Sequence, residues 1–162
     1  MYRVAVLEPA SGQLTARLGN FFLAEDRGFV PVITKGAAFG DFCGMYDLFV
    51  VTASDVSGTP PPDLHCRALL VSGDGQAKAA LHIPSQWVVS FGLSGKDSIT
   101  VSSLEPDCAV IALLRELVTL NGLVLEQQEL PLPIPWAAEA AELMVFYGSL
   151  LLLGVPPEDL AV

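Results

Sequence analysis

The sequence predicts an α/β fold: a mostly parallel sheet with flanking helices, a phosphate-loop-like first turn, and a C-terminal β-hairpin followed by a long apolar helix. Short continuous apolar runs recur along the first part of the chain (Tyr2–Leu7, Tyr46–Thr52, Ala68–Val71, Trp87–Phe91), as in strands buried on both faces. A helix-periodic segment follows the first run, and loops or short helices separate the others, an alternation that points to parallel pairing. The chain is also 52% apolar and only 16% charged, so much of its apolar surface has to be buried on two faces at once. Its 162 residues suit one ordinary domain, residues 1–162.

Each element has a local reason. Tyr2–Leu7 reads as a strand and Glu8–Gly12 as a turn. Gln13–Arg27 carries Leu14, Leu18, Phe21, Phe22 and Ala24 at helical spacing, and Gly28 closes it. Val30–Thr34 reads as a strand whose Pro31 marks its start or a sheet edge. A glycine-rich loop, Gly36–Gly44, leads into the strand Tyr46–Thr52, and the proline-rich loop Ser57–Pro62 into the strand Ala68–Val71. Ser72–Gly75 turns, Ala77–Leu81 reads as a short helix, and Trp87–Phe91 and Ser98–Ser102 read as strands. Asn121-Gly122 is the strongest hairpin signal in the chain and would join a strand Ile111–Leu120 to Leu123–Leu130. Pro131, Pro133 and Pro135 then form a spacer before a helix Trp136–Leu153, closed by Gly154, and Pro156–Leu160 makes a last turn.

Charge and cysteine content narrow the function. The formal net charge is -10, with 18 acidic against 8 basic residues, which argues against nucleic acid and against an anionic membrane surface. The uncharged stretch Leu143–Val155 is shorter than the ~20 residues a membrane span needs, and Glu139 and Glu142 precede it by one turn. No secretory leader is readable at Tyr2–Leu7, and Cys43, Cys66 and Cys108 give neither a disulfide framework nor a zinc motif. The expectation is a cytoplasmic protein with reduced thiols, no metal and no cofactor. His65 and Cys66 are adjacent in extended chain, so their side chains diverge and do not chelate together.

The helix Trp136–Leu153 is apolar nearly all round, with Met144, Val145, Phe146, Tyr147 and Leu150–Leu153. Such a helix has to be covered on every side. Two solutions stay open: burial by the chain's own sheet and hairpin, or a homodimer through this helix.

The first turn carries the functional reading. A phosphate loop needs glycine-rich backbone amides, a lysine for the terminal phosphates and a hydroxyl for magnesium. Here the turn reads Glu8-Pro-Ala-Ser-Gly-Gln-Leu-Thr15. Gly12 stands where the last glycine belongs, Gln13 where the lysine would be and Leu14 where the hydroxyl would be. Glu8 adds negative charge beside any phosphate. An ordinary strand-to-helix turn and a vestigial phosphate loop fit this motif equally. No paired base and nucleophile is readable, which ranks an unrelated enzyme last.

Taken in order, these segments resemble the central ATP-binding domain of the Mur ligases. The loop matches at Gly12 and Thr15; Asp47–Asp55 is similar to the strand that ends in an Asp-His pair, with Val56 in place of the histidine; Leu69–Gly75 keeps Asp74. Val88–Ser94 looks like the strand that ends Phe-Gly, and Leu130–Pro133 with Leu153–Leu160 looks like the closing hairpin and helix, with Trp136 and Ala137 where His and Asn would stand. The resemblance implies the fold, while the lost lysine and hydroxyl imply a pseudoenzyme: a non-catalytic binding or protein-interaction module, related to the cell wall through the family. The alternative is a weak nucleotide-binding regulator that uses loop amides alone. In either case the ligand or partner would sit at the C-terminal ends of the strands. The candidate binding residues there are Ser11, Gly12, Gln13, Thr15, Ser54, Asp55, Ser72 and Asp74, an acidic rim that disfavours phosphate-rich ligands.

Overall fold

The computed structural model describes residues 1–24, 27–52, 58–75 and 77–161. Its centre is an eight-stranded mixed sheet. In chain order the strands and helices are β1 (Arg3–Leu7), α1 (Leu14–Ala24), β2 (Val32–Gly36), β3 (Met45–Val51), β4 (His65–Ser72), β5 (Ser85–Phe91), β6 (Ile99–Leu104) and β7 (Cys108–Leu113). A small ribbon, β8 (Leu117–Val118) and β9 (Val124–Leu125), precedes β10 (Gln128–Pro133), α2 (Ala140–Leu152) and the short α3 (Pro157–Leu160). The strand order is β10-β7-β6-β5-β4-β3-β1-β2. Strands β2 to β6 along that row are parallel, and β7 and β10 add antiparallel.

The buried apolar runs work as two-faced strands. Val4, Val6, Leu48, Val50, Ala68 and Leu70 point to the side covered by α1 and α2. The alternating residues Ala5, Leu7, Phe49, Val51, Leu69 and Val71 point to the other side, where connecting segments carry Phe39, Phe42, Leu64, Ala80 and Ile83 over them. Two layers of apolar contact on one sheet explain why these strands do not alternate apolar with polar.

Helix α2 is buried from Leu143 through Leu152 within the chain itself. It lies on β3 to β7 and against α1, with Trp136 stacked edge-on to Phe146 at 4.6 Å between ring centroids. The cover that such an apolar helix demands is therefore intramolecular, and the reason for seeking a second copy along it falls away. Gly148 lets the helix approach the sheet: a Cβ there would lie 2.8 Å from Ile99 Cδ1. The helix ends in a Schellman arrangement, with Gly154 N–H donating to Leu151 and Val155 N–H to Leu150, both at 3.0 Å, and Gly154 at φ +91°.

Four sequence expectations need correction. The strand expected at Ile111–Leu120 is broken: β7 ends at Leu113, and only Leu117–Val118 pair again. The Asn121-Gly122 signal does mark a reversal, but its ribbon is two residues deep on each side. The turn runs Thr119–Gly122 and Gly122 takes φ +86°, so Asn-Gly is not the central pair of a two-residue turn. Pro131 and Pro133 are not spacer residues; they pair with Val110 and Cys108 in β10. Proline is tolerated there because β10 is an edge strand, where a missing N–H leaves no ladder bond unmade.

The last helix starts at Ala140 rather than Trp136, because Glu139 is extended (φ -84°, ψ 163°) and caps it. Two strands are also displaced. Val32, the first residue after Pro31, donates the first ladder bond to Tyr2, so β2 runs Val32–Gly36. β4 begins earlier than expected, at His65, because the His65 N–H donates to Gly44 O and the Cys66 N–H to Pro84 O, both at 3.0 Å, which extends the ladder on both sides.

Two glycines in helices test this packing in opposite directions. Gly19 in α1 has open space around its Cβ position, so Gly19→Ala is expected to raise unfolding free energy by about 0.5–1 kcal/mol. Gly148→Leu forces α2 off Ile99 and Leu70 and is expected to cost about 1–3 kcal/mol. Urea unfolding of the two variants measures both.

Candidate functional site

Strand order locates the site. The chain runs from β1 outward to β2, then returns to place β3 on the other side of β1. The switch point is thus at the C-terminal ends of β1 and β3, where open α/β sheets hold ligands. A cleft of about 210 Å³ lies there. Glu8, Pro9, Gly12, Gln13, Leu14 and Arg17 line one wall; Thr52 and Phe91 form the floor at the strand ends; Ala141, Glu142 and Val145, from the first turns of α2, line the other wall.

Glu8 dominates the first wall. It is 1% exposed, and its carboxyl group accepts from Leu14 N at 3.0 Å, Thr15 N at 2.9 Å and Thr15 Oγ1 at 2.5 Å. These amides belong to the first turn of α1, the donors that a bound anion would otherwise use. Glu8 reaches them because it immediately follows β1, with its own N–H fixed to Gly36 O at 3.0 Å. Gly12 makes room for it: a Cβ at residue 12 would lie 2.2 Å from Glu8 Oε1. The glycine of the loop thus serves an internal carboxyl group.

Arg17 stands one turn further along α1. Its guanidinium donates to Glu142 Oε2 at 2.6 Å and lies 4.2 Å from the centroid of the Trp136 ring. The Arg17 guanidinium hydrogen-bonded to Glu142 holds that carboxyl below its ordinary value of 4.5, against a smaller opposing effect of burial. Glu142 Oε1 also accepts from the Glu139 amide at 3.2 Å, so one side chain caps α2 and ties it to α1. Lys35 approaches the same turn from β2, donating to Ala10 O at 3.1 Å and Gly12 O at 2.9 Å. The turn therefore has a basic side chain beside it even though residue 13 is glutamine; Lys35 is exposed and does not line the cleft.

The predicted site residues separate into groups. Gly12 and Gln13 line the cleft; Thr15 is turned to Glu8; Ser11 is exposed in the turn, where its carbonyl accepts from Gln13 Nε2 at 3.4 Å. Ser72 and Asp74 lie at the end of β4 and are not part of the lining; Ser72 Oγ accepts from Asp74 N at 3.5 Å. Ser54 and Asp55 lie outside the described residues. Sequence reasoning missed Arg17, Thr52 and Glu142. Arg17 is four residues from Gln13 and so shares its helix face, the one signal that was available. Glu142 is 125 residues from Arg17, and no local pattern links them.

A second buried acid stands at the ends of β4 and β5. Asp97 is 3% exposed and accepts from Ser94 N at 3.1 Å. Its oxygens press on Gly73 and Gly92, where a Cβ would meet them at 1.7 and 2.4 Å. That contact packs the segment before β6 against the C-terminal ends of β4 and β5. Among the described residues no group of three or more His, Cys, Asp or Glu could hold a metal, and no helix is long and apolar enough to cross a membrane. Burial pushes the Cys66 thiol up to about 12, which makes it a packing residue rather than a nucleophile. No protein-family model matches the chain, and a search of the curated proteins finds no match.

Gly12→Ala is expected to evict Glu8 from the α1 amides and lower unfolding free energy by about 1–3 kcal/mol, the cost of buried donors left without partners. Thermal or urea unfolding measures it. The Arg17–Glu142 pair gives a pH signature. Because the folded carboxyl titrates below 4.5, its stabilisation is complete above that value and fades as pH falls through the lower folded-state value. Arg17→Met is expected to flatten this segment of the acid-unfolding curve by a small amount, since the Glu142 side chain is 43% exposed and solvent screens the pair.

Proposed function

We propose that this chain is a non-catalytic, Mur-ligase-like α/β module that binds a ligand or a protein partner at the switch point of its sheet. The observation that carries the reading is the Glu8 carboxyl group seated on the Leu14 and Thr15 amides, the position a triphosphate would need. Glutamine at 13 and leucine at 14 supply neither the cation nor the magnesium ligand of a working phosphate loop. Among the described residues, the lining offers no nucleophile beside a base: Thr52 Oγ1 donates to the Leu7 carbonyl at 3.4 Å, and Glu8 is spent on amides. The same reading includes a cell-wall-related role, supported only by the family resemblance, and a cytoplasmic location, which three unpaired, widely spaced cysteines suit.

One contact favours a second reading, a weak nucleotide-binding regulator. Lys35 Nζ lies on the carbonyls of the turn and is the nearest substitute for the missing lysine. Calorimetry with ATP and ADP, with and without magnesium, separates the two. The binding-module reading predicts no heat of nucleotide binding and no phosphate release. Magnesium-dependent binding that disappears in Lys35→Ala would establish the regulator instead.

A further inference from the structure

We infer that the outer edge of β2 pairs with the β2 edge of a second copy of this chain, joining the two sheets across a two-fold axis. The backbone of β2 is committed to β1 on one side only. Val32 N–H donates to Tyr2 O at 2.8 Å, and Gly36 O accepts from Glu8 N at 3.0 Å, in register with Arg3–Leu7. These groups alternate in direction along a strand, so the N–H and C=O of Ile33 and Lys35 point away from β1. β2 ends the strand order, and among the described residues nothing bonds to those outward groups. Unpaired groups on a strand edge are a template for another extended chain. The opposite edge of the sheet is closed. In β10 the Ile134 N–H donates to Asp107 O, so Glu129, Pro131 and Pro133 face outward. Pro131 and Pro133 have no N–H to offer. One open edge and one closed edge let the sheet pair once and stop, which gives a dimer rather than a polymer.

The open edge complements itself. Antiparallel pairing centred on Thr34 sets Ile33 opposite the partner's Lys35, and each such pair exchanges both of its outward bonds. Thr34 meets the partner's Thr34, a favourable cross-strand pair. Val32, 49% exposed, meets the partner's Gly36, which has no side chain to oppose it. The neighbouring registers set Lys35 against the partner's Lys35 or against the partner's Pro31, and both are worse. Charge selects the same surface. The chain carries a formal net charge of -10, yet Lys35 is the only charged residue from Gly28 to Gly40. This segment brings no acid to the seam, whereas acidic surfaces of two copies repel. The Lys35 ammonium is bonded back onto Ala10 O and Gly12 O at 3.1 and 2.9 Å, so its own chain holds the charge that would otherwise guard the edge. An edge of 5 residues buries less than the ~1,200 Å² of stable complexes, so the dimer is a weak one.

The test is sedimentation equilibrium of the whole chain from about 10 μM to about 1 mM, with amide hydrogen exchange measured at both ends of that range. The average mass is expected to climb from 17.2 kDa toward twice that value. Exchange at Ile33 and Lys35 is expected to slow at least about threefold in the concentrated sample, because only pairing at this edge protects them. Ile33→Pro removes one outward N–H, spares the bonds to β1, and is expected to weaken dimerisation at least about tenfold. If it does not fold, Thr34→Glu sets two carboxylates face to face on the axis and is expected to weaken dimerisation at least about fivefold at neutral pH. A chain that stays monomeric at the highest concentration overturns the inference and leaves the β2 edge to a strand of another protein. A dimer that leaves the Ile33 and Lys35 amides exchanging as in the monomer, or that survives the folded variants unchanged, overturns it as well, since its interface lies elsewhere.

Discussion

The carboxyl group of Glu8 on the first turn of α1 is the contact around which this end of the molecule is arranged. It satisfies donors that a buried helix start cannot leave unpaired, and it does so from the residue that immediately follows β1. The strand, the turn and the helix are thereby locked as one unit. Gly12 has no side chain because Glu8 occupies the space beside it. The anion at this helix start is thus supplied by the chain itself. Leu14, at the same helix start, turns its side chain into the core with Leu18 and Phe22.

The second constraint is the burial of α2. A helix apolar on nearly every side has no solvent face to orient it, so its placement depends on what surrounds it. Here the sheet supports it from below and α1 flanks it, with the Arg17–Glu142 pair and Trp136 closing the seam. The same pair lines the cleft, so the packing of α1 on α2 and the shape of the site are one feature seen from two sides. The cleft then lies where strand order reverses, between two helix starts that each donate a backbone N–H to a carboxyl group of the chain.

Legibility in the sequence followed the range of the interactions involved. The parallel strands were readable because burial on both faces writes itself as continuous apolar runs such as Asp47–Val51 with its Leu-Phe-Val-Val core. Gly154 was readable as a helix terminator and adopts positive φ at the end of α2; Gly28 also adopts positive φ, but the described part of α1 ends at Ala24. The C-terminal hairpin was read too long. Val110, Ile111, Leu113, Leu114, Leu117 and Val118 look continuous, yet the chain leaves the main sheet after Leu113 and only then makes its small ribbon. Pro131 and Pro133 were misread because proline excludes a central strand, and only the strand order reveals that β10 is an edge.

The sequence by itself determined the alternation of buried strands and helices, the presence of glutamine and leucine rather than lysine and a hydroxyl at residues 13 and 14, and the acidic balance that argues against nucleic acid. These are local or compositional properties, and each is carried by neighbouring residues. Tertiary structure alone decided that α2 is covered within the chain, that Arg17 meets Glu142 across 125 residues, and that Glu8 turns inward onto the α1 amides. The physical reason is that a side chain's partner is chosen by the packing of distant segments, and no periodicity along the chain encodes which distant carboxyl group or ring will arrive beside it.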